Sequence, residues 1–175
     1  MLSPKLNIER IAVGTLLIIV GFVLLTFFVW IILYWFEFLS KIIARDGGSI
    51  KYSFFIIQFH HGIIASFIAI LGGILLLRKN TYGWIIGFAM SIYYSIFFSH
   101  KIFSVQFLEL KASVKDDDII SFFIIPILIL TTLLLILSVT FLSLKRTRQQ
   151  FELTKLNYGI AFGLIAVLMI DLLIF

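Results

Sequence analysis

The chain has no cysteine, only two prolines in 175 residues, and a charged fraction of just 13%. Without cysteine there can be no disulfide, thiolate nucleophile, iron–sulfur cluster or thiolate-bound zinc. With two prolines and no Gly/Ser-rich tract there is no linker between domains, so 1–175 reads as a single transmembrane domain. Globular chains carry about 25% charged residues and about 45–50% apolar ones, so the usual polar coat is missing. In its place the chain is 62% hydrophobic and 17% aromatic, with 20 phenylalanines. A water-soluble body this small cannot bury that much apolar surface. These shortages exclude a soluble enzyme, a disordered chain and a nucleic-acid-binding domain. What remains is an all-α, polytopic transmembrane helical bundle.

Crossing a bilayer takes about 20 predominantly apolar residues, because a helix rises about 1.5 Å per residue. Five segments meet or approach that length: 11–36, 54–77, 84–103, 119–144 and 158–175. The fifth is the shortest, so four spans plus an interfacial C-terminal helix is the competing architecture. Lys5 and Arg10 precede the first run, as they would in a signal peptide. That run is far longer than the h-region of about 7–15 residues, and no small-residue cleavage site follows. It reads as a retained helix.

Punctuation sets the helix ends. Asp46, Gly47 and Gly48 break the chain after the first span, and residues 78–83 form a tight hairpin between the second and third. Asp116, Asp117 and Asp118 suit the positive end of the fourth helix dipole, and Lys145, Arg146 and Arg148 its negative end. Pro126 is expected to kink that helix unless the helix starts later. With five spans, one side of the membrane carries Lys5, Arg10, Arg78, Lys79, Lys145, Arg146, Arg148 and Lys155. The other side carries Lys41, Arg45, Lys51, Lys101, Lys111 and Lys115. The basic excess puts the N-terminus in the cytoplasm. The expected location is the plasma membrane (the inner membrane of a bacterium), crossed several times.

Small residues recur every four positions on three spans. They are Ala65, Ala69 and Gly73; Gly87, Ser91, Ser95 and Ser99; and Gly159 and Gly163. Four-residue spacing gathers them on one face, where neighbouring helix backbones can approach closely. Helix packing is the expectation, with a water-lined serine stripe as its rival on the third span.

Ionisable groups inside spans are the sharper functional clue. His61 lies 17 residues before Arg78, and His100 lies 17 residues after Gly83. Each is therefore about 25 Å along its helix from the same turn. Gln58, His61 and Ala65 share a face, His60 is turned away from it, and Tyr93 and His100 share a face of the third span. Asp171 continues the Gly159–Gly163 row and is expected to point into the bundle at the same level. The expected polar layer is thus His60, His61, His100, Asp171, Gln58 and Tyr93. Interhelical hydrogen bonding is its simplest role. A proton or ion pathway, or a haem or metal site with His61 and His100 as ligands, are the alternatives.

Other signatures are missing. There is no P-loop, G-x-G-x-x-G, G-x-S-x-G or H-E-x-x-H sequence, so no metal or cofactor is assigned. The basic stretch Lys145–Lys155, with Phe151, Leu153 and Leu156 interleaved, suits contact with anionic lipid and not nucleic acid. The functional expectation is a small, non-enzymatic membrane component that self-associates or packs with a partner subunit. A small transporter and a membrane-embedded redox or metal enzyme stand behind it.

Overall fold

The computed structural model describes residues 4–45, 52–109 and 118–174, and every regular element among them is an α-helix. The order is α1 (Pro4–Arg45), α2 (Tyr52–Leu77), α3 (Thr81–Glu109), α4 (Asp118–Ser143), α5 (Lys145–Gln150) and α6 (Lys155–Ile174). Asp46, Gly47 and Gly48, expected to break the chain after the first span, lie outside the described residues, as do Asp116 and Asp117. Among the described residues three helices are long and apolar enough to cross a membrane, along Ile8–Phe38, Thr81–His100 and Pro126–Ser143. Among the described residues, α2 and α6 carry the apolar stretches Gly62–Leu77 and Lys155–Ile170. The architecture is compatible with a membrane protein.

At 42 residues, α1 is about 63 Å long, roughly twice the hydrocarbon thickness of a bilayer. It packs antiparallel on α2 through a seam with a seven-residue repeat. Arg10, Val13, Leu17, Val20, Leu24 and Phe28 form its buried stripe, and Ile11, Ile19, Phe22 and Val23 stay exposed. Glycines set the closeness of that seam. A Cβ at Gly14 would meet Leu77 and the Gly73 carbonyl oxygen, and one at Gly21 would meet the Ser66 carbonyl oxygen at 2.8 Å. Phe28 continues the repeat by lying against Gly62.

The α2–α3 hairpin closes as the sequence predicts. Asn80 Oδ1 accepts the Tyr82 N–H at 2.8 Å, and Lys79 takes φ 58° in the turn. Gly83 lets α3 leave directly against the backbone of Leu75 and Leu76.

The centre of the bundle is α3, flanked by α2, α4 and α6 and touched by α1. Of the three long apolar helices it is the least apolar, and packing explains this. A helix covered by its neighbours can carry Ser91, Tyr93 and Tyr94, all buried, without exposing their hydroxyls to hydrocarbon. By contrast, α1 and α4 present Phe22, Trp30, Ile127, Leu130 and Leu137 outward, each more than half exposed. A surface of that kind suits acyl chains and not water. Pro126 sits inside α4, and the helix continues through it.

Candidate functional site

The small-residue positions divide into two populations. Ala65, Ala69, Gly73, Gly87 and Ser91 are buried, and Ser95 and Ser99 are half-buried. Gly73 faces Gly14 and Ile18 of α1, and Gly87 faces Leu17 of α1 and Leu76 of α2. The hydroxyls of Ser91 and Ser95 are satisfied within α3 itself. Ser91 donates to the Gly87 carbonyl at 2.8 Å and Ser95 to the Ser91 carbonyl at 2.7 Å. Ser91 is fully enclosed.

Gly159 and Gly163 behave differently and correct the expectation that they face inward. Both are exposed, and a Cβ on either would meet nothing within 4 Å. Instead, α6 turns Ala161 and Leu168 toward the core, with Tyr158 and Leu164 packed beside them. The space beside α3 is wide because Trp84 and Phe88 project there. Larger side chains fill it and glycines do not. The premise that aimed Asp171 into the bundle, its place on the glycine row, falls with this.

The polar layer is only partly described. The side chains of Gln58, His61 and Asp171 lie outside the described residues. The α2–α3 register runs from Gly83 against Leu75, through Gly72 against Ile86, to Ser66 beside Tyr94. Carried six residues further along each helix, it brings His60 level with His100. His60 is half-buried and His100 is exposed. Tyr93 is 2% exposed and stacks on Phe97 at 6.2 Å. Tyr93 therefore belongs to the packed core and His100 to its edge, so the shared face of α3 does not give them a shared environment. Among the described residues no group of three His, Asp or Glu side chains is placed to hold a metal ion.

The opposite end of the bundle gathers the basic connections. Trp84, fully buried at the start of α3, donates Nε1–H to the Leu142 carbonyl of α4 at 2.9 Å. It stacks on Phe88 with centroids 5.0 Å apart and meets Tyr158 of α6 edge-on at 4.9 Å. Thr147 of α5 donates to the Phe141 carbonyl at 2.9 Å, and Thr81 donates to the Phe151 carbonyl at 3.2 Å. These bonds hold residues 145–151 under the hairpin turn. Phe151 is 2% exposed, so it plugs the end of the protein instead of entering lipid, as its place in the basic stretch had implied. Leu153 is half-buried, and Leu156 faces outward. Arg78, Lys79, Lys145, Arg146, Arg148 and Lys155 stand exposed around this end.

The tryptophan cluster and the glycines of α1 escaped a search for four-residue spacing. Gly14 and Gly21 are seven apart, and that interval is the signal that finds them.

No protein-family model matches the chain, and neither a curated protein nor a solved structure matches it.

Proposed function

We propose that the chain is a multi-pass membrane component without catalytic activity of its own, and that it associates with a second copy of itself through α6. The exposed Gly159–Gly163 pair carries this reading. Small residues spaced by four, with open space in front of them, are the surface that lets two apolar helices approach within backbone contact. The rest of the bundle uses its small residues in this way internally, at Gly14, Gly21 and Gly73. Ser91 and Ser95 of α3 bond to carbonyls of their own helix.

The test is Gly159→Leu and Gly163→Leu, read by energy transfer between differently labelled copies diluted in liposomes. Transfer should fall to the level of a non-associating control, and thermal stability of the single chain should stay unchanged. Undiminished transfer in both variants would remove α6 as the contact.

The same reading includes five crossings with the N-terminus in the cytoplasm, supported by the cations gathered at the hairpin end. Reporter fusions should then place residue 80 and the N-terminus on one side and the C-terminus on the other. Both termini on one side would reduce α6 to an interfacial helix.

A further inference from the structure

Arg10 is 6% exposed, and its Nε and Nη1 are enclosed without a hydrogen-bond partner. A guanidinium does not give up its proton in a protein. A buried cation with no counter-charge is strongly unfavourable, so its anion must come from outside the chain. Arg10 lies one turn before Gly14 on the buried stripe of α1, and Gly14 lies against Leu77. The antiparallel register therefore sets Arg10 level with residues 77–81, beside the hairpin turn. Glu9 precedes it in the chain without pairing with it, and Glu152 is the other described carboxylate at this end.

Two further polar side chains at this end are also enclosed and unpartnered. They are the Gln150 amide, at both Oε1 and Nε2, and the Tyr158 hydroxyl. Gln150 immediately precedes Phe151, whose carbonyl receives the Thr81 hydroxyl. Gln150 and Tyr158 lie on the α3–α6 side of this end, whereas Arg10 lies on the α1–α2 seam. The Arg10 guanidinium, at the same end as six exposed cations, is by itself suited to a phosphate group. Beside Arg10 on α1, Ile8 and Ile11 are exposed at 67% and 49%. Ile11, one residue along the helix toward the apolar run, gives an acyl chain an apolar contact next to the charge.

We propose that Arg10 anchors a phosphate-binding site at the hairpin end of the bundle, occupied by the phosphodiester of an acidic phospholipid whose chains lie along α1. The site does not depend on α6 association and would exist in a single copy. Basic recesses between membrane helices recognise headgroups in this manner. The exposed cations draw anionic lipid to the surface, and Arg10 holds one headgroup in place.

The experiment uses the full chain in nanodiscs of zwitterionic phosphatidylcholine, titrated with phosphatidylglycerol and read by native mass spectrometry of retained lipid. The variants are R10Q, R10K and the rim variant K145Q/R146Q/R148Q. R10Q should weaken retention of one phosphatidylglycerol by about tenfold or more, as expected for losing a charge-assisted contact. R10K should keep most of the binding, and the rim variant should lose only its salt-sensitive part. Displacement by millimolar inorganic phosphate would support the phosphate site and reassign its occupant to the free anion. Because no protein group pairs with Arg10, R10Q should fold. Should it not, the comparison moves to the wild-type protein, which phosphatidylglycerol but not phosphatidylcholine should protect against thermal unfolding. Equal retention by wild type and R10Q, or equal protection by the two lipids, would overturn the proposal.

Discussion

An alanine at Gly83, or a leucine at Gly73, is expected to destabilise the chain by about 3 kcal/mol, the upper end of what overpacking usually costs. The added Cβ at Gly83 would run into the Leu75 carbonyl carbon and the Leu76 nitrogen. Those atoms are backbone of the neighbouring helix and cannot rotate aside as a side chain would. The hairpin must open, and the Asn80 turn and the Trp84 contacts just beyond it shift with it. At Gly73 the first clash is with the Gly14 carbonyl oxygen at 2.6 Å, and a leucine adds three more carbons beyond it. Separating α1 from α2 there also withdraws Gly21 from Ser66 and Phe28 from Gly62 along the same seam. For the single chain, diluted in detergent so that copies do not associate, Gly163→Leu is the matched control, with nothing within 4 Å and an expected change within about 0.5 kcal/mol. Thermal unfolding in detergent, followed by circular dichroism, gives the ranking. If Gly83→Ala and Gly163→Leu unfold together, the hairpin is not the close crossing described.

Comparing these glycines shows what the sequence can and cannot reveal. Gly73 and Gly87 were visible because a four-residue interval marks one side of a helix regardless of what lies opposite. The same interval misplaced Gly159 and Gly163, since it fixes that two residues share a face but not which neighbour that face meets. In α6 the deciding partners are Trp84 and Phe88, 75 residues away in the chain in the case of Gly159 and Trp84. Their bulk demands the larger side chains of the opposite face. Gly14 and Gly21 lie outside the four-residue pattern because the α1–α2 seam repeats every seven residues, as two antiparallel helices in long contact do.

Helix limits show a related difference. Hydropathy marks 84–103, while α3 extends over Thr81–Glu109. Backbone hydrogen bonding continues after the apolar run ends, since nothing between Phe103 and Glu109 is a helix breaker. The buried arginine could not be read from the sequence. Arg10 looks like any basic flank, and only the seam through Gly14 shows that it lies inside.

Replacing Trp84 is expected to cost the most of any single side-chain truncation, about 3–5 kcal/mol for Trp84→Ala, the usual range for deleting a buried large aromatic. Two separable effects combine in that figure. The first is packing. Trp84 is fully buried, stacked on Phe88 and edge-on to Tyr158, so its removal leaves a void where α3, α4 and α6 meet. The second is hydrogen bonding at the end of α4. The last carbonyls of a helix have no partner inside it, and the chain turns into α5 directly after Ser143. There the Phe141 carbonyl takes the Thr147 hydroxyl and the Leu142 carbonyl takes the Trp84 indole N–H. Trp84→Phe keeps most of the ring contact and leaves the enclosed Leu142 carbonyl unpaired, at an expected cost of about 1–3 kcal/mol. Thr81→Val, which removes only the part-buried bond to Phe151, should cost less, about 1 kcal/mol. The order Trp84→Ala, Trp84→Phe, Thr81→Val in unfolding temperature is the measurement. Should Trp84→Phe match the wild type, the indole bond does not cap α4, and the junction rests on ring packing alone.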